Sequence, residues 1–575
     1  MKLKGAKILV ESLMKEDVKH LFGYPGGSVI PFFDCLYDTP QIKFILPRHE
    51  QAAAHMADGY ARSTGKVGVC IATSGPGATN LTTGIATAYM DSVPIVAITG
   101  QVKTDLIGND AFQEADVTGI TRSITKYNYL VKDVRDLAKT VKEAFYLAKS
   151  GRPGPVVIDL PVDVQLQEAE FNYPKEVDIR SYQPTYFGHP GQIKKALKLI
   201  YSSKRPVIIA GGGIIISGAH KELLKFAQNL NIPVTATLMG LGGFPSTHEL
   251  ALGMPGMHGT VCANMAIMES DLLISVGSRF DDRVTGKLDA FAPKAKILHI
   301  DIDPTSISKN IKVDVPIVGD AKNILGQLIG EINKTPPSKV SGGSIPMDKS
   351  KLPDLGAWQK QIKEWKKKNP LCYKKEPGTI KPQSVVEEIY NQTKGKAIIV
   401  TEVGQNQMWA AQFYKYDYPR CFLSSGGLGT MGYGFPAAIG AKVANPSKTV
   451  IDIAGDGSIQ MNIQELATVA EHNIGVKVVI LNNSYLGMVR QWQELFYNRR
   501  YSATYLKNPD FVKVARGFGV KGIKVKKKTE VKKAVKEMLA YKGPVLVDFL
   551  VEKEENVFPM VPAGEAINRM IGGMA

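Results

Sequence analysis

Asp456 and Asn483 are the residues whose types and spacing point most directly to chemistry. Asp456 stands between Gly455 and Gly457 after an apolar β-branched run, and Asn483 closes a second such run. A carboxylate oxygen and an amide oxygen suit Mg²⁺, and glycines let the backbone approach a phosphate closely. The pattern predicts a Mg²⁺-bridged diphosphate. Gly-Asp-Gly alone is equally typical of a tight turn after a buried strand, so the second run makes the prediction specific.

The elements around these residues are expected to form a parallel strand–helix–strand unit. The runs 449–453 and 476–481 predict strands, and the helical spacing of 463–470 predicts a helix between them. Parallel strands present their carboxyl ends at one edge of the sheet, where open α/β sheets bind ligands. Asp456 and Asn483 are therefore expected to meet at that edge.

Apolar runs that end in or near Gly, Asp or Asn recur along the whole chain. They lie at 67–72, 156–159, 207–210, 272–276, 297–301, 397–400 and 545–549. Helical patterns alternate with them, which predicts an α/β protein with doubly wound parallel sheets. The aperiodic, Pro-containing stretches 173–191 and 335–350 predict linkers. We therefore expect three domains, at about 1–180, 190–335 and 365–575.

Composition favours a soluble intracellular protein. Among 575 residues, 22% are charged and 44% are apolar, which is ordinary for a globular protein. No apolar run approaches the roughly 18 residues that a membrane span needs. The N-terminal residues predict an amphipathic helix rather than a signal or transit peptide. Five scattered cysteines without a Cys-x-x-Cys pair indicate a reducing compartment, so a cytoplasmic location is expected.

The formal net charge of +17 raises the question of nucleic-acid binding. The lysines are dispersed, and their densest run, 521–536, alternates with Val, Thr, Glu and Ala as on the solvated side of a strand and helix. No nucleic-acid recognition motif accompanies them. We expect neither a nucleic-acid nor a membrane partner.

Several longer motifs, in order along nearly the whole chain, carry a family resemblance. They are Phe22-Gly-Tyr-Pro-Gly-Gly27, Arg48-His-Glu-Gln51, Thr73-Ser-Gly-Pro-Gly77, Asp110-Ala-Phe-Gln-Glu114, Ser150-Gly-Arg-Pro-Gly-Pro155, Arg279-Phe-Asp-Asp-Arg283, Gly426-Gly-Leu-Gly-Thr-Met-Gly432 and Asn482-Asn-x-x-x-Gly-Met-Val-x-Gln-Trp-Gln493. With the diphosphate motif, they resemble the thiamine-diphosphate-dependent decarboxylases and carboligases. Within that superfamily the chain is most similar to the catalytic subunits of the acetohydroxyacid synthases.

The resemblance implies three α/β domains and a thiamine diphosphate site. Glu50 is similar to the glutamate that hydrogen-bonds the cofactor pyrimidine, Met431 to the apolar residue that holds the cofactor bent, and Gly429 to the glycine whose carbonyl accepts from the 4′-amino group. The other implied thiamine diphosphate ligands are Gly404, Gln405, Asn406, Gly455, Asp456, Gly457, Ser458 and Asn483. The family often has His where Asn406 stands, and both side chains can donate. Asp456, Asn483 and the backbone carbonyl of Tyr485 would coordinate Mg²⁺.

The resemblance also implies residues that act on the substrate. Gly27, Phe112 and Gln113 would line the reacting centre. Trp492 would shape the pocket so that 2-oxobutyrate competes well as second substrate, because one methylene in an apolar pocket is worth only about 1–3 kcal/mol. Without the motif, a half-buried anchoring role is the commoner one for tryptophan.

An FAD site in the middle domain is implied as well, and this FAD would take no net redox part in the reaction. Its residues are Arg152, Gly211, Gly212, Gly256, Met257, His258, Arg279, Asp281, Arg283, Asp301 and Asp320. Glycine-rich strand ends with arginines and carboxylates suit a dinucleotide. The run Arg279–Arg283 is the most diagnostic of these features.

The implied reaction condenses two pyruvates to 2-acetolactate with loss of CO₂, or pyruvate plus 2-oxobutyrate to 2-aceto-2-hydroxybutyrate, in branched-chain amino-acid biosynthesis. The implied assembly is a homodimer or homotetramer in which Glu50 and Asp456 of different chains serve one cofactor, and a small regulatory subunit is a further partner. Two departures stand out: Lys103 occupies a position that is usually Pro or small, and Val162 one that is often Lys.

Four other functions compete. A flavin-free catabolic acetolactate synthase is opposed by the run Arg279–Arg283 and by Trp492. A glyoxylate carboligase is opposed by Glu50, and a flavin-redox pyruvate oxidase belongs to a different reaction class. A thiamine-fold binding protein without activity is opposed by the presence of Glu50, Asp456 and Asn483 together.

Overall fold

The computed structural model describes residues 1–333 and 353–572, so the linker predicted at 335–350 lies outside the described residues. Within the described part, three parallel sheets follow one another along the chain, each packed between helices. This architecture confirms the predicted α/β class. The proposed domain boundaries stay a prediction.

The first sheet has the strand order β3-β2-β4-β5-β7-β6. Its strands are β2 (His20–Tyr24), β3 (Lys43–Ile45), β4 (Gly68–Ala72), β5 (Ile95–Gln101), β6 (Tyr127–Leu130) and β7 (Val156–Pro161). Its helices are α1 (Gly5–Lys15), α2 (Ile30–Tyr37), α3 (Glu50–Thr64), α4 (Pro76–Asn80), α5 (Thr82–Met90), α6 (Val117–Thr121), α7 (Leu137–Lys149) and α8 (Val162–Leu166). A small antiparallel ladder joins β1 (Lys2–Lys4) to β8 (Glu168–Glu170) beside it.

The second sheet has the order β10-β9-β11-β12-β13. Its strands are β9 (Pro206–Ala210), β10 (Val234–Ala236), β11 (Leu272–Val276), β12 (Lys296–Asp301) and β13 (Val315–Val318). Its helices are α9 (Pro190–Ser202), α10 (Gly212–Ile216), α11 (His220–Leu230), α12 (Val261–Glu269), α13 (Asp282–Thr285) and α14 (Ala321–Asn333).

The third sheet has the order β15-β14-β16-β17-β19-β18. Its strands are β14 (Ile398–Thr401), β15 (Phe422–Leu423), β16 (Val450–Gly455), β17 (Lys477–Asn482), β18 (Lys521–Val525) and β19 (Val545–Leu550). The helices of this part are α15 (Gly356–Lys368), α16 (Pro382–Thr393), α17 (Gln405–Phe413), α18 (Gly434–Ala444), α19 (Asp456–Ile459), α20 (Glu465–Glu471), α21 (Gly487–Phe496), α22 (Phe511–Gly517) and α23 (Val531–Ala540).

The strand–helix–strand unit predicted around Asp456 is present. Strand β16 pairs in parallel with β17, with Ile451 opposite Lys477, and α20 crosses between them. The apolar runs are continuous rather than alternating because both faces of these central strands are covered. In β4, for example, Val69 and Ile71 join one core while Cys70 and Ala72 join another.

The first and third sheets of one chain are joined through helices α3 and α18, which touch backbone to backbone. A Cβ added to Gly59 would lie 2.0 Å from the carbonyl oxygen of Ala437, and one on Gly440 would lie 1.9 Å from that of Met56. Glycine is therefore required at both crossings. Sequence periodicity offered no indication of this packing, since neither glycine lies in a turn.

A buried charge network reinforces the same junction. Arg62 donates to Asp58 at 2.6 Å and to Asp91 at 2.8 Å, and all three side chains are at least nine-tenths buried. Tyr433 donates its hydroxyl to Asp58, and the Gly426 amide donates to Asp91. The network thus holds α3 and the segment before α18 in one arrangement.

We expect Arg62→Met to lower the midpoint of thermal unfolding by several degrees. Removing the guanidinium leaves two carboxylates buried without a counter-charge, a loss of about 3–5 kcal/mol. Calorimetry on the full chain measures it. The control is Arg135→Met, which breaks an exposed pair with Asp133 and is expected to leave the midpoint unchanged. Equal midpoints for the two variants would contradict a stabilising role for the buried network.

No helix among the residues described is long and apolar enough to cross a bilayer.

Candidate active site

A cavity opens at the carboxyl ends of β14, β16 and β17, where the sequence places the diphosphate. Its lining comes entirely from residues 403–489. Of the predicted thiamine diphosphate and metal ligands it includes Gly404, Gln405, Asn406, Met431, Gly455, Asp456, Gly457, Ser458, Asn483 and Tyr485. Ten predicted residues from four separate stretches of the chain therefore meet in one place.

Backbone geometry makes this cavity suitable for an anion. Helices α17 and α21 both begin at it, and neither has a side chain capping its first turn. Their free N–H groups and helix dipoles favour a phosphate there. A Cβ on Gly457 would lie 2.7 Å from Leu486, and one on Gly455 would lie 3.2 Å from the Asn406 amide oxygen. Side chains at either glycine would fill the cradle.

Oxygen donors converge at the same edge. Asp456 is 1% exposed, and burial raises the pKa of its carboxyl group to about 6. Asn483, also buried, accepts a hydrogen bond from the Tyr485 amide at 3.1 Å and donates to Gln405 at 3.1 Å. Gln405 in turn donates to Gln491 and to the Glu555 carbonyl. These contacts orient the amide of Asn483 before any ligand binds.

This donor set fits Mg²⁺ held together with phosphate. Among the described residues no group of three or more His, Cys, Asp or Glu side chains forms a metal cage. One carboxylate, one amide oxygen and one backbone carbonyl leave several positions for phosphate oxygens and water, as Mg²⁺ prefers. Asp456 is buried and has no basic partner in the cavity lining. A bound cation would compensate its negative charge.

Asn508 is a contact that the sequence did not predict. Its amide donates to Asp456 at 2.5 Å and to Asn482 at 3.1 Å, and it accepts from Gln460 at 3.1 Å. Gln460 also donates to the Asp456 carbonyl. Asn508 therefore holds the carboxylate of Asp456 in place from outside the cavity.

We expect Asn508→Ala to raise the Mg²⁺ concentration for half-saturation by about 10-fold, because residues that orient a metal ligand typically contribute 10–100-fold to affinity. Titration of Mg²⁺ against thiamine diphosphate binding measures it. Gln464→Ala, which removes an amide that donates to Asn462 and has no hydrogen bond to Asp456 in the described part of the chain, serves as the control and is expected to keep the wild-type value. An unchanged Mg²⁺ requirement in the Asn508 variant would show that this contact is not needed.

Glu50 lies elsewhere in the chain, at the start of α3. It is half-buried, and its carboxylate accepts a hydrogen bond from Asn80 at 3.0 Å. The backbone of Gly77 comes close enough that a Cβ there would lie 3.5 Å from Glu50. His49 caps the helix by accepting from the Gln51 amide. The helix start and Asn80 thus fix the direction of the carboxylate, which does not line the diphosphate cavity of its own chain.

The remaining predicted residues around the reacting centre are largely exposed in the single chain. Gly27 begins a short 3₁₀ helix with open space where a Cβ would lie, and Gly429 is exposed with φ +70°. Phe112 is 88% exposed, and Gln113 has φ +59° beside Gly75. The ring of Phe112 and the side chain of Gln113 are therefore accessible to a second protein surface.

Trp492 lies on α21, whose first turn lines the diphosphate cavity. It is half-buried, with its ring packed edge-on against Phe496 at 5.8 Å between centroids. The neighbouring Gln493 contacts Ser502 and Thr504 and so ties α21 to the segment that follows it. The indole is therefore held near the cavity on a braced helix.

A second cavity lies at the carboxyl ends of β9, β11, β12 and β13 in the middle sheet. It takes in Arg152 from the first segment together with Gly212, Arg279, Asp281, Asp301 and Asp320. Arg152 pairs with Asp303 at 3.0 Å and donates to Ser92 at 2.8 Å. The buried hydroxyl of Ser217, also in the lining, has no hydrogen-bond partner in the described structure. Arginines, carboxylates and an orphaned hydroxyl fit a dinucleotide.

Comparison with known proteins decides the family. Three family models match the chain: the N-terminal TPP binding domain of thiamine pyrophosphate enzymes at residues 3–120, their central domain at 193–328, and their C-terminal TPP binding domain at 402–549. The acetolactate synthase large subunit of Haemophilus influenzae is 51% identical over 574 residues, covering 99% of this chain and 98% of the relative. This chain belongs to the acetolactate synthase large subunits.

Other relatives agree. The acetolactate synthase isozyme 3 large subunit of Escherichia coli is 48% identical over 574 residues, with coverage of 99% of this chain and 98% of the relative. The probable acetolactate synthase large subunit of Methanocaldococcus jannaschii is 51% identical over 579 residues, with coverage of 99% and 95%. The likeness spans all three sheets. The chain is accordingly a thiamine-diphosphate-dependent enzyme.

Not every residue predicted for FAD in this acetolactate synthase family member lies in the second cavity. Gly211 is outside the lining, and a Cβ there would lie 2.0 Å from the Gly277 carbonyl oxygen, so its role in the fold is close backbone packing. Gly256, Met257 and His258 are also outside. Met257 accepts from the Val561 amide in the chain's C-terminal segment, and Gly256 lies against the Arg283 backbone.

His258 and Arg283 are two further predicted FAD residues that do not line the second cavity. His258 is buried, and desolvation lowers the pKa of its imidazole to about 4. The side chain of Arg283 is 58% exposed and lies near Asp282. Asp281, which does line the cavity, also caps α13 by accepting from the Arg283 and Val284 amides. Contact of Gly211, Gly256, Met257, His258 and Arg283 with FAD stays a prediction.

The two departures from the family pattern lie near the first sheet. Lys103 is exposed and precedes a 3₁₀ helix at Thr104–Leu106. Val162 is half-buried at the start of α8, directly after β7. Neither residue lines either cavity.

Proposed function

We propose that this chain condenses two pyruvates to 2-acetolactate with loss of CO₂, or pyruvate with 2-oxobutyrate to 2-aceto-2-hydroxybutyrate. The observation that carries the proposal is the diphosphate cavity, in which Asp456, Asn483 and Met431 meet, in a chain about half identical over its whole length to acetolactate synthase large subunits. Both products are precursors for branched-chain amino acids.

The cofactors proposed are thiamine diphosphate with Mg²⁺, and FAD. Bound thiamine diphosphate supplies a nucleophilic carbon and an electron sink for decarboxylation of a 2-oxo acid. Asp456, Asn483 and the Tyr485 carbonyl would hold the Mg²⁺, and the first turns of α17 and α21 would bind the diphosphate. Glu50 would hold a proton at the pyrimidine ring. Arg152 and Arg279 would bind the flavin phosphates.

We propose that the active unit is at least a dimer in which one chain supplies Glu50 and the other supplies Asp456. Three features support it. The diphosphate cavity is lined by residues 403–489 alone, Glu50 lies outside it, and Phe112 is 88% exposed. A two-fold axis would complete two equal sites at once. A tetramer would consist of two such dimers.

Two further proposals concern partners and location. Relatives named "large subunit" support a small regulatory subunit as partner. A cytoplasmic location is supported by the five cysteines, which are scattered along the chain without a Cys-x-x-Cys pair.

The function is tested by incubating purified protein with pyruvate, thiamine diphosphate and Mg²⁺, with and without FAD and 2-oxobutyrate, and quantifying both acetohydroxy acids. Formation of 2-acetolactate, and of 2-aceto-2-hydroxybutyrate when 2-oxobutyrate is present, is the expected result. Acetate or acetyl phosphate formed only with an electron acceptor would contradict the proposal in favour of a flavin-redox oxidase.

Trp492→Leu is expected to lower the preference for 2-oxobutyrate over pyruvate by about 10-fold, since one methylene in an apolar pocket is worth about 1–3 kcal/mol. The ratio of the two products in a competition assay measures it. Phe496→Leu, which removes only the ring packed against Trp492, is the control and is expected to change the ratio less. An unaltered ratio in the Trp492 variant would assign this preference to other residues.

A further inference from the structure

Two carboxyl groups that the proposed mechanism does not use lie buried side by side in the third sheet. Glu402 directly follows β14, and Asp452 lies within β16, where its neighbour on β14 is Val400. Both side chains are fully buried. Burying two carboxyl groups together is costly unless something stabilises them. What they face is the start of α18.

Glu402 accepts hydrogen bonds from the backbone at that helix start. One carboxylate oxygen accepts from the Gly432 amide at 2.8 Å and the other accepts from the Phe435 amide at 3.0 Å. These amides belong to the first turn of α18 and the residues before it, where a helix favours negative charge. Because α18 has no cap on its own N-terminal side, Glu402 supplies the cap from another strand.

The backbone of Gly432 is also held at its carbonyl group. Asn462 is buried and donates its amide to the Gly432 carbonyl at 2.6 Å. Gly432 has φ +85°, and a Cβ there would lie 2.9 Å from Met461 and 3.0 Å from Asn462. Both peptide groups that flank the Gly432 Cα are therefore fixed, the one before it by a carboxylate on the N–H and the one after it by an amide on the C=O.

Met431 directly precedes Gly432 and lines the diphosphate cavity. A Cβ on Gly457 would lie 3.8 Å from the terminal methyl group of Met431. A methionine side chain is flexible, so its backbone must be held if it is to occupy one place. We propose that Glu402 and Asn462 clamp the backbone of Gly432 on both sides of its Cα and thereby position Met431 against the bound cofactor. Both are positioning residues. The inference rests on the proposed function, because the contact of Met431 with thiamine diphosphate is implied by the family.

Of the two carboxyl groups, only one carries a negative charge. Glu402 has two backbone donors facing it, whereas neither oxygen of Asp452 has a hydrogen-bond partner in the described structure. Burial raises the pKa of both, to about 7 for Glu402, and well above the ordinary range for Asp452, whose pKa the Glu402 carboxylate raises further. Asp452 therefore carries the proton and Glu402 the negative charge, so the clamp depends on Glu402.

The test compares Glu402→Gln with Asp452→Asn in the full-length enzyme. Glu402→Gln replaces a charged double acceptor by a neutral amide with one acceptor oxygen. We expect it to raise the thiamine diphosphate concentration for half-saturation at least about 10-fold, to lower kcat at saturating cofactor, and to weaken the near-ultraviolet circular dichroism band of the bound cofactor. Asp452→Asn replaces a group that is already neutral and is expected to stay within about twofold of wild type on each readout.

Asn462→Ala removes the contact on the Gly432 carbonyl and is expected to change the readouts in the direction of Glu402→Gln. It also replaces that variant should Glu402→Gln not fold. A Glu402→Gln enzyme with wild-type cofactor binding, kcat and dichroism would overturn the clamp, and so would equal losses in the Glu402 and Asp452 variants. Cofactor binding is followed by fluorescence quenching without substrate, so it is read separately from acetolactate formation. Failure of the wild-type enzyme to form acetolactate would instead contradict the proposed function.

Discussion

Glu50→Gln is expected to lower kcat about 10²–10⁴-fold, the range that loss of a positioned acid or base produces. The carboxylate is fixed by its place at the start of α3 and by the hydrogen bond from Asn80. Glutamine keeps the size and that hydrogen bond but cannot hold a proton at the pyrimidine. Steady-state acetolactate formation at saturating pyruvate and cofactors measures the effect.

Binding separates this prediction from general damage. FAD binding and the midpoint of thermal unfolding should stay at wild-type values in Glu50→Gln, because Glu50 lies in neither cavity of its own chain. The matched control is Glu170→Gln, an exposed glutamate on β8, which should keep full activity. A Glu50→Gln enzyme that retains more than about a tenth of wild-type kcat would exclude a catalytic role for this carboxylate.

Asp456→Ala is expected to have the second large effect, raising the Mg²⁺ concentration for half-saturation by at least about 100-fold. Asp456 is the only carboxylate in the described lining of the diphosphate cavity, so its loss removes the single anionic ligand that Mg²⁺ would have there. Titration of Mg²⁺ in the presence of thiamine diphosphate measures the change by protein fluorescence.

Asp548→Asn is the control for this prediction. Asp548 is a buried aspartate in the same sheet that accepts from Asn482, but it does not line the cavity. We expect its Mg²⁺ requirement to match the wild type. Similar Mg²⁺ requirements in the Asp456 and Asp548 variants would mean that Asp456 is not a metal ligand.

Local sequence pattern was sufficient for the fold class and for the position of Asp456 and Asn483. Strands buried on both faces leave continuous apolar runs, and the polar residue that ends each run marks the ligand-binding edge of a parallel sheet. For this reason the residues alone predict the unit β16–α20–β17 at its observed place in the chain. Gly404, Gln405 and Asn406, which the family resemblance implies, lie after β14 at the same edge.

Residues that act through long-range contacts could not be found in this way. Asn508 reaches Asp456 from a segment without periodicity, and Glu402 caps a helix that begins 32 positions later in the chain. Glu402 follows a predicted strand, but nothing in the sequence around either residue indicates the distant group that its side chain contacts. A capping residue is recognisable from sequence only when it directly precedes its own helix.

The FAD prediction shows that glycine-rich motifs are ambiguous when they are read from the sequence alone. Glycine-rich motifs have more than one physical cause, so a motif that belongs to a family does not assign each of its residues to the ligand. Gly212 lies in the second cavity, whereas its neighbour Gly211 is required by close packing against Gly277. Likewise Gly256 has φ +92° and sits against the Arg283 carbonyl. The folded backbone shows the packing of both glycines, and their contact with FAD stays a prediction.

A subunit-complementation assay tests the central claim, a carboligase site divided between two chains, most directly. Glu50→Gln and Asp456→Ala chains are co-expressed with different affinity tags, and the assembly that carries both tags is assayed for 2-acetolactate. In each mixed dimer one site receives both substitutions and the other receives neither, so we expect about half of the wild-type activity per mixed dimer. Each variant expressed alone should be nearly inactive. A mixed assembly as inactive as its parents would contradict the divided site and place Glu50 and Asp456 at one cofactor within a single chain.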